Sequence, residues 1–359
     1  MSHTPEPVQR RTPTTHFIAL DGLRGIAALF VVAFHALSPF DKANIISHAH
    51  LAVDFFFLLS GFVIAHAYEN RLISGLSFGK FLKIRLIRLY PLIFVGLLLG
   101  FCVYVTKTVF LDKEALPKEV FLALVSNLIL LPTNLIKEEG WRSIFPFNVP
   151  AWSLFFEFVV NIVYVMILPK LNHRILVTLV AISAGLVFAQ AYHLGGIEGG
   201  TQLDTLLYGF GRVTFPFFAG VLLYRLRECF KVRSVPFLIL GSILTLTFMW
   251  PGKIFPAWLV ESTTVVFLYP VLVLITSQAD LTKTMSRICR FLGDLSYPLY
   301  ILYYPLIRLF SGFARKFAET DIQLYTIIAV EITCQVLFAY IILKMFDEPV
   351  RKWLKRTIN

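Results

Sequence analysis

The sequence predicts an all-α fold: a polytopic transmembrane helix bundle of about ten spans, plus one re-entrant or interfacial segment. Three observations carry that expectation. Of 359 residues, 57% are hydrophobic and only 15% charged, whereas a water-soluble domain carries about a quarter charged residues. The mean hydropathy is +0.73, so the apolar side chains are too many for a soluble core and must face lipid. The apolar residues also gather into stretches long enough to cross a bilayer, separated by short basic loops.

In chain order these stretches begin near 17–38 and 50–69 and continue at 90–110, 150–169, 174–194, 204–224, 235–250, 257–277, 290–310 and 322–346. An eleventh, 119–136, is shorter and broken by Asn127, Pro132 and Asn134. Charge decides whether it crosses, because short loops rich in Lys and Arg stay in the cytoplasm. With ten spans and a cytoplasmic amino terminus, twenty loop Lys and Arg residues fall inside and nine outside. If 119–136 crossed, every later loop would change sides, leaving twelve inside and seventeen outside. The expectation is therefore ten spans with both termini cytoplasmic. Re-entrant backbone is tolerated only where it is buried in protein or lines a cavity. That puts 119–136 and the loop 137–149 over a candidate active site.

Residues 1–16 read as a disordered cytoplasmic tail, 17–350 as the transmembrane domain, and 351–359 as a basic cytoplasmic tail. The apolar run after residue 16 has no small-residue cleavage site, so it reads as a retained anchor. The net charge of +11 belongs to loops that orient a membrane protein, and nothing resembles a nucleic-acid reading module. Cys102, Cys229, Cys289 and Cys334 form no Cys-x-x-Cys pair, which argues against a disulfide framework or a zinc site. Internal repeats of the kind many transporters show are absent from the pattern.

Ionisable groups inside spans are costly and are candidate sites by default. The first span carries Arg24 and His35, eleven positions apart. On a helix that separates them by roughly 20° around the axis and about 16 Å along it. A cation suited to phosphate and an imidazole suited to proton transfer thus share one face at two depths. The plain alternative is a packing pair that happens to align. Asp54 and Ser60 lie on the second span; Asp54 would orient an imidazole or arginine, or cap a helix. His66 reads as structural, and His48 and His50 as surface residues. Arg85 and Arg88 share a helix face, as ordinary anchoring charge or as a clamp for a phosphorylated ligand. Glu157 lies two turns inside the fourth span, with Ser153 and Asn161 on its face and Trp152 at the outer boundary. Arg212 is another intramembrane cation. Asp294 opens a later span, and Glu261 and Glu331 have no specific reading.

Together, and in this order, these segments resemble the acyltransferase-3 family of membrane acyltransferases. The matching pieces are LDGLRGIAALFVVAFH at 20–35, VDFFFLLSGFVI at 53–64, Arg85 and Arg88 in IRLIRLYP, and PAWSLFFEF at 150–158. RVTFPFFAGVLL at 212–223, LGDLSYPLYILYYPL at 292–306 and FDEPVRKW at 346–353 complete the set. The resemblance implies transfer of an acyl group from cytoplasmic acyl-CoA to a hydroxyl of a cell-surface or lipid-linked glycan at an inner membrane. Acetyl is the commonest expectation. It implies His35 as the catalytic residue, with Arg24, Arg85 and Arg88 engaging coenzyme A. Glu157 is carried with His35 as a catalytic candidate, and Asp54, Ser60, Trp152 and Arg212 as supporting or substrate-binding residues.

Acyl-CoA enters this reading as donor substrate; no permanent cofactor and no metal are expected. The expected partners are the glycan or glycolipid acceptor and the bilayer, with no nucleic acid. Polysaccharide-assembly proteins are the protein partners such a function would add. Two departures from the family pattern stand out. Tyr303 replaces a histidine, so no catalysis is assigned there, and the double glutamate after WSL is Glu157 followed by Phe158. Many relatives carry a further extracytoplasmic esterase-like domain; this chain reads as the membrane core alone. The alternative function is a permease or flippase for a polysaccharide precursor, and a third is a non-catalytic partner in an assembly complex.

Overall fold

In the computed structural model, residues 17–111, 118–137, 142–251 and 254–356 are described, and among them there are helices and no strands. The expected tail 1–16 and the end of the basic tail, 357–359, lie outside the described residues. Helices α1 (Ile18–Leu37), α2 (Ala52–Ile73), α3 (Phe78–Val105), α4 (Val120–Leu128) and α5 (Ala151–Ile167) form the first half. Helices α6 (His173–Leu194), α7 (Leu206–Leu226), α8 (Phe237–Phe248), α9 (Ala257–Thr263), α10 (Tyr269–Thr276), α11 (Lys283–Phe317), α12 (Asp321–Ile342) and α13 (Glu348–Arg356) follow. A π-helical turn at Thr264–Leu268 joins α9 to α10, and another at Leu343–Asp347 joins α12 to α13.

Polar side chains cap the starts of four long helices, α3, α6, α11 and α12. Asn172 accepts from the Ile175 amide at 3.0 Å, and Thr282 from the Met285 amide at 3.2 Å. Each satisfies one of the amides that a helix start leaves open. Thr320 and Gln323 form a reciprocal capping box ahead of α12.

Eight helical segments among the described residues are long and apolar enough to cross a membrane. All ten expected spans coincide with helices, but two differ in character. The 235–250 stretch makes a helix of only 12 residues, about 18 Å. The 290–310 stretch lies inside the 35-residue α11, whose tyrosines, prolines and charges dilute its hydropathy. The expected span at 90–110 is the outer part of α3, which begins twelve residues earlier at Phe78 and carries Arg85 and Arg88 on its first turns.

Two helix pairs organise the bundle, and small residues bring them together. Gly22 and Gly25 of α1 lie against Cys289 and Leu292 of α11, and Gly293 receives Asp21 in return. Gly61 of α2 faces the Phe217 carbonyl of α7, while Gly220 of α7 faces the Leu58 carbonyl of α2. A Cβ at any of these positions would collide with its neighbour. In a bilayer, where burial of apolar surface drives little, such close backbone approach is a main source of helix association.

The contacts also fix direction. Asp54 and Glu69 of α2 meet Arg212 and Arg225 of α7 in the same order, so the two helices run parallel. Three passes, α3, α5 and α6, separate them; a fourth made by α4 would set them antiparallel. The nine residues of α4 span about 14 Å, under half the hydrocarbon thickness. The 119–136 segment is accordingly a short helix and an irregular return, with Phe121, Leu122 and Ile129 exposed. Buried Asn127 holds the turn by donating to the Leu131 and Ile144 carbonyls at 3.2 and 3.1 Å.

Candidate functional site

Two cavities occupy opposite ends of the α1–α11 pair. The first, about 200 Å³, is lined by Arg24, Ser60, Arg85, Arg88, Glu157 and Ser296, with residues of the Leu343–Asp347 π-turn and of α13 closing one side. The second, about 670 Å³, is lined by His35, Lys107, Ile136, Ser143, Tyr304 and Arg308 among others. The two have no lining residue in common. Arg24 and His35 share a helix face, as the eleven-residue spacing requires, but each opens into its own cavity.

Rings fill the space between. Tyr300, on the wall of the first cavity, lies 6.1 Å from Tyr303. Tyr303 stacks on the His35 imidazole at 5.4 Å with ring planes 24° apart. Tyr304, 6.5 Å from His35, lines the second cavity. The Tyr300 and Ser153 hydroxyls are hydrogen-bonded at 2.7 Å, which pins this partition to α5. His35 is thus held in orientation by rings, with Phe34 edge-on at 5.3 Å.

In the first cavity the arginines differ from one another. Arg24 donates from Nε to the Ser296 hydroxyl at 2.8 Å and from Nη2 to the Gly293 carbonyl at 2.9 Å, and pairs with Asp21 at 3.0 Å. Arg85 is buried and donates to Glu157 Oε1 at 2.6 Å; the Ser60 hydroxyl donates to the same oxygen at 2.7 Å. Arg88 is exposed on the cavity rim and makes no ion pair among the described residues. The shared face of Arg85 and Arg88 therefore hides a division: one cation is fixed by a carboxylate and the other is open. Glu157, expected to serve His35 or a sugar, sits with Arg85 in the first cavity and away from the imidazole.

Asp54, Arg212 and Trp152 form a separate unit. Arg212 grips Asp54 with two bonds, Nε at 3.2 Å and Nη2 at 2.7 Å, and its guanidinium lies 5.1 Å above the Trp152 ring. All three are buried and none lines either large cavity. Trp152 is thus a buried platform for Arg212 rather than an interface anchor.

The sequence reading missed several groups. His48, read as a surface residue, is buried and contacts Glu261 through Nδ1 at 3.0 Å, and half-buried His50 reaches the same oxygen at 3.2 Å. The Ile197 amide donates to the other oxygen of Glu261 at 2.5 Å. The outer loop is thereby tied to α9. Asp347 and Arg351 also line the first cavity as an ion pair. The π-helical turn delivers Asp347, and α13 continues the helix through 351–356, where a basic tail was expected. A π-turn inside a long helix often marks a functional site; the sequence signals were the four-residue spacing of Asp347 and Arg351 and their place in the FDEPVRKW stretch, to which no role was assigned. His66, read as structural, packs between Phe17 at 4.9 Å and Tyr224 at 5.4 Å.

A multi-pass helical membrane protein with an arginine-lined cavity at one end and a histidine-lined cavity at the other is the class these features define. The acyltransferase-3 profile, described as an acyltransferase domain, matches residues 17–343. The chain belongs to the acyltransferase-3 family and is an acyl-transferring enzyme. It is 40% identical over 190 residues to protein 2 in the picA locus of Rhizobium radiobacter, covering 50% of this chain and 97% of that protein. It is 25% identical over 367 residues to the O-acetyltransferase OatA of Staphylococcus aureus, covering 93% of this chain. The alignment takes in 57% of OatA, so this chain spans little more than half the length of that relative. No solved structure matches.

Proposed function

We propose that the protein moves an acyl group, acetyl as the first expectation, from cytoplasmic acyl-CoA to a hydroxyl of a cell-surface or lipid-linked glycan. The observation that carries this reading is the pair of cavities set end to end along α1, with Arg24 on one and His35 on the other. The acetyl transfer named for OatA favours acetyl here. By the loop-charge count the first cavity faces the cytoplasm and the second the far side.

On this reading Arg88 takes a phosphate of coenzyme A, while Glu157 and Ser60 hold Arg85 in place beside it. The pantetheine arm follows the α1–α11 seam past Arg24, and movement of the Tyr300 and Tyr303 rings lets the thioester reach His35. Neutral His35 removes the proton of the acceptor hydroxyl as its oxygen attacks the thioester carbonyl. The new C–O bond forms, the C–S bond breaks, and the departing thiolate takes the proton from the imidazolium. A general base typically contributes about 10²–10⁴-fold. An alternative order, with an acyl-histidine formed first, uses the same geometry.

The test is the purified protein in proteoliposomes with labelled acetyl-CoA and envelope glycans. His35→Ala is expected to lose transfer by at least about a hundredfold while its affinity for coenzyme A stays within twofold, about 0.4 kcal/mol. Undiminished labelling by that variant would remove His35 from the chemistry. Glycan movement without acyl-CoA consumption would favour a permease.

A further inference from the structure

The imidazole takes the proton of the acceptor hydroxyl, but acyl transfer also builds negative charge on the thioester carbonyl oxygen. A hydrogen-bond donor placed at that oxygen is usually the largest single catalytic contribution. The cations of the first cavity are bonded elsewhere: Arg24 to Ser296, Gly293 and Asp21, and Arg85 to Glu157. Three rings surround His35, those of Phe34, Tyr303 and Tyr304, and only the tyrosines carry a donor. Tyr304 opens onto the second cavity, on the acceptor side. We infer that Tyr303 is a further catalytic residue, whose hydroxyl donates to the thioester carbonyl oxygen and holds the charge that develops there. This rests on the acyl-transfer reading and deepens it.

Three observations support it. Tyr303 is 2% exposed, yet its hydroxyl has no hydrogen-bond partner among the described residues. The two preceding tyrosines of α11 are both satisfied: Tyr297 donates to the Leu89 carbonyl at 2.6 Å, and the Tyr300 hydroxyl is bonded to that of Ser153 at 2.7 Å. A buried phenol hydroxyl normally has a partner, so the one on Tyr303 is open to a ligand atom. The second observation is place. The Tyr303 ring stacks on the imidazole at 5.4 Å, so a group that enters between the two rings touches both. The third is direction. Side chains on a helix lean toward its N-terminal end, and on α11 that end holds Gly293 and Ser296, the partners of Arg24. The hydroxyl thus leans toward the arginine cavity, the side from which the thioester arrives.

Entry of the thioester parts the stacked rings, leaving the imidazole to the acceptor hydroxyl and the phenol to the carbonyl oxygen. Tyr303 keeps its proton throughout. It donates a hydrogen bond to the oxyanion while the C–O bond forms, and the carbonyl is restored as the C–S bond breaks.

The test uses the full-length protein in proteoliposomes with labelled acetyl-CoA and envelope glycans. Tyr303→Phe keeps the ring and deletes the donor. It is expected to lower kcat about 10²–10³-fold, as loss of one oxyanion donor does, with both KM values unchanged. Transfer at the parent rate would overturn the inference and leave acyl transfer standing. The dithioester analogue of acetyl-CoA, with C=S in place of C=O, separates contact from packing, because sulfur accepts hydrogen bonds weakly. The parent's preference for acetyl-CoA over this analogue is expected to fall at least tenfold in Tyr303→Phe. That ratio does not depend on how much of the variant folds. If both donors slow together and the preference stays, Tyr303 only packs and the assignment is refuted. A parent that transfers no label from acetyl-CoA fails acyl transfer itself, and the inference with it.

Discussion

The two ends of α1 are built on opposite principles. At the arginine end a small cavity is walled by cations matched with carboxylates: Arg24 with Asp21, Arg85 with Glu157, Arg351 with Asp347. At the histidine end the cavity is about three times larger, 670 against 200 Å³, and its described charged lining is cationic throughout. Paired charges hold one another in fixed geometry and leave little net field. The first end suits a ligand of constant shape, as the adenine nucleotide part of acyl-CoA is. The second has room for a larger ligand.

The strongest way to break that comparison is to unpair the first end. Arg85→Ala leaves the Glu157 carboxylate at the cavity wall with only the Ser60 hydroxyl as partner. Removing one member of a buried pair costs about 3–5 kcal/mol, so the thermal midpoint in detergent should fall by several degrees. Replacing Arg85 and Glu157 together with Met and Leu should recover much of that loss, since a well-packed apolar pair is often as stable as a buried ion pair. A single variant as stable as the parent would show that the pair fixes nothing.

Next in size is Arg88→Ala. Because Arg88 is exposed and outside the ion-pair set, its removal should leave the midpoint unchanged and raise the donor KM about tenfold, roughly 1.4 kcal/mol. The contrast between two arginines three residues apart is the sharper result. If Arg85→Ala changed only the donor KM and Arg88→Ala only the midpoint, the division of labour would be reversed.

The sequence made one half of this arrangement legible. Helical periodicity alone aligns Arg24 with His35, because both lie on one helix and the rise and turn per residue are constant. The loop-charge count found that 119–136 turns back, and the parallel α2–α7 pair agrees. Pairings across helices were hidden, since nothing local tells Arg85 that its partner is Glu157, 72 positions away, or Glu261 that its partner is His48, 213 positions away. Only packing separates Arg85 from Arg88. Tyr303 was read as a departure from the family pattern and set aside, yet it stacks on His35. Lys107, Arg315 and Lys316 counted only as loop charges, and their convergence with Arg308 depends on where α3 and α11 end in space.

The smallest expected effect concerns the partition between the two ends. Tyr300→Phe keeps the ring and deletes the hydroxyl that bonds Ser153 at 2.7 Å and points at the Pro150 carbonyl at 3.4 Å. The hydrogen bond is worth about 0.5–1.5 kcal/mol, so folding should be little affected. Its likeness in shape lets it separate two ways of closing the seam. If the ring itself blocks the path, Tyr300→Phe should transfer at the parent rate, and Tyr300→Ala should consume acyl-CoA without labelling an acceptor, because water then reaches the thioester. If the tie to α5 is what closes the seam, Tyr300→Phe should already show that wasteful hydrolysis, by a few fold. Equal coupling of consumption to transfer in the parent and both variants would mean that the tyrosines partition nothing, and the two cavities would then differ only in size and lining.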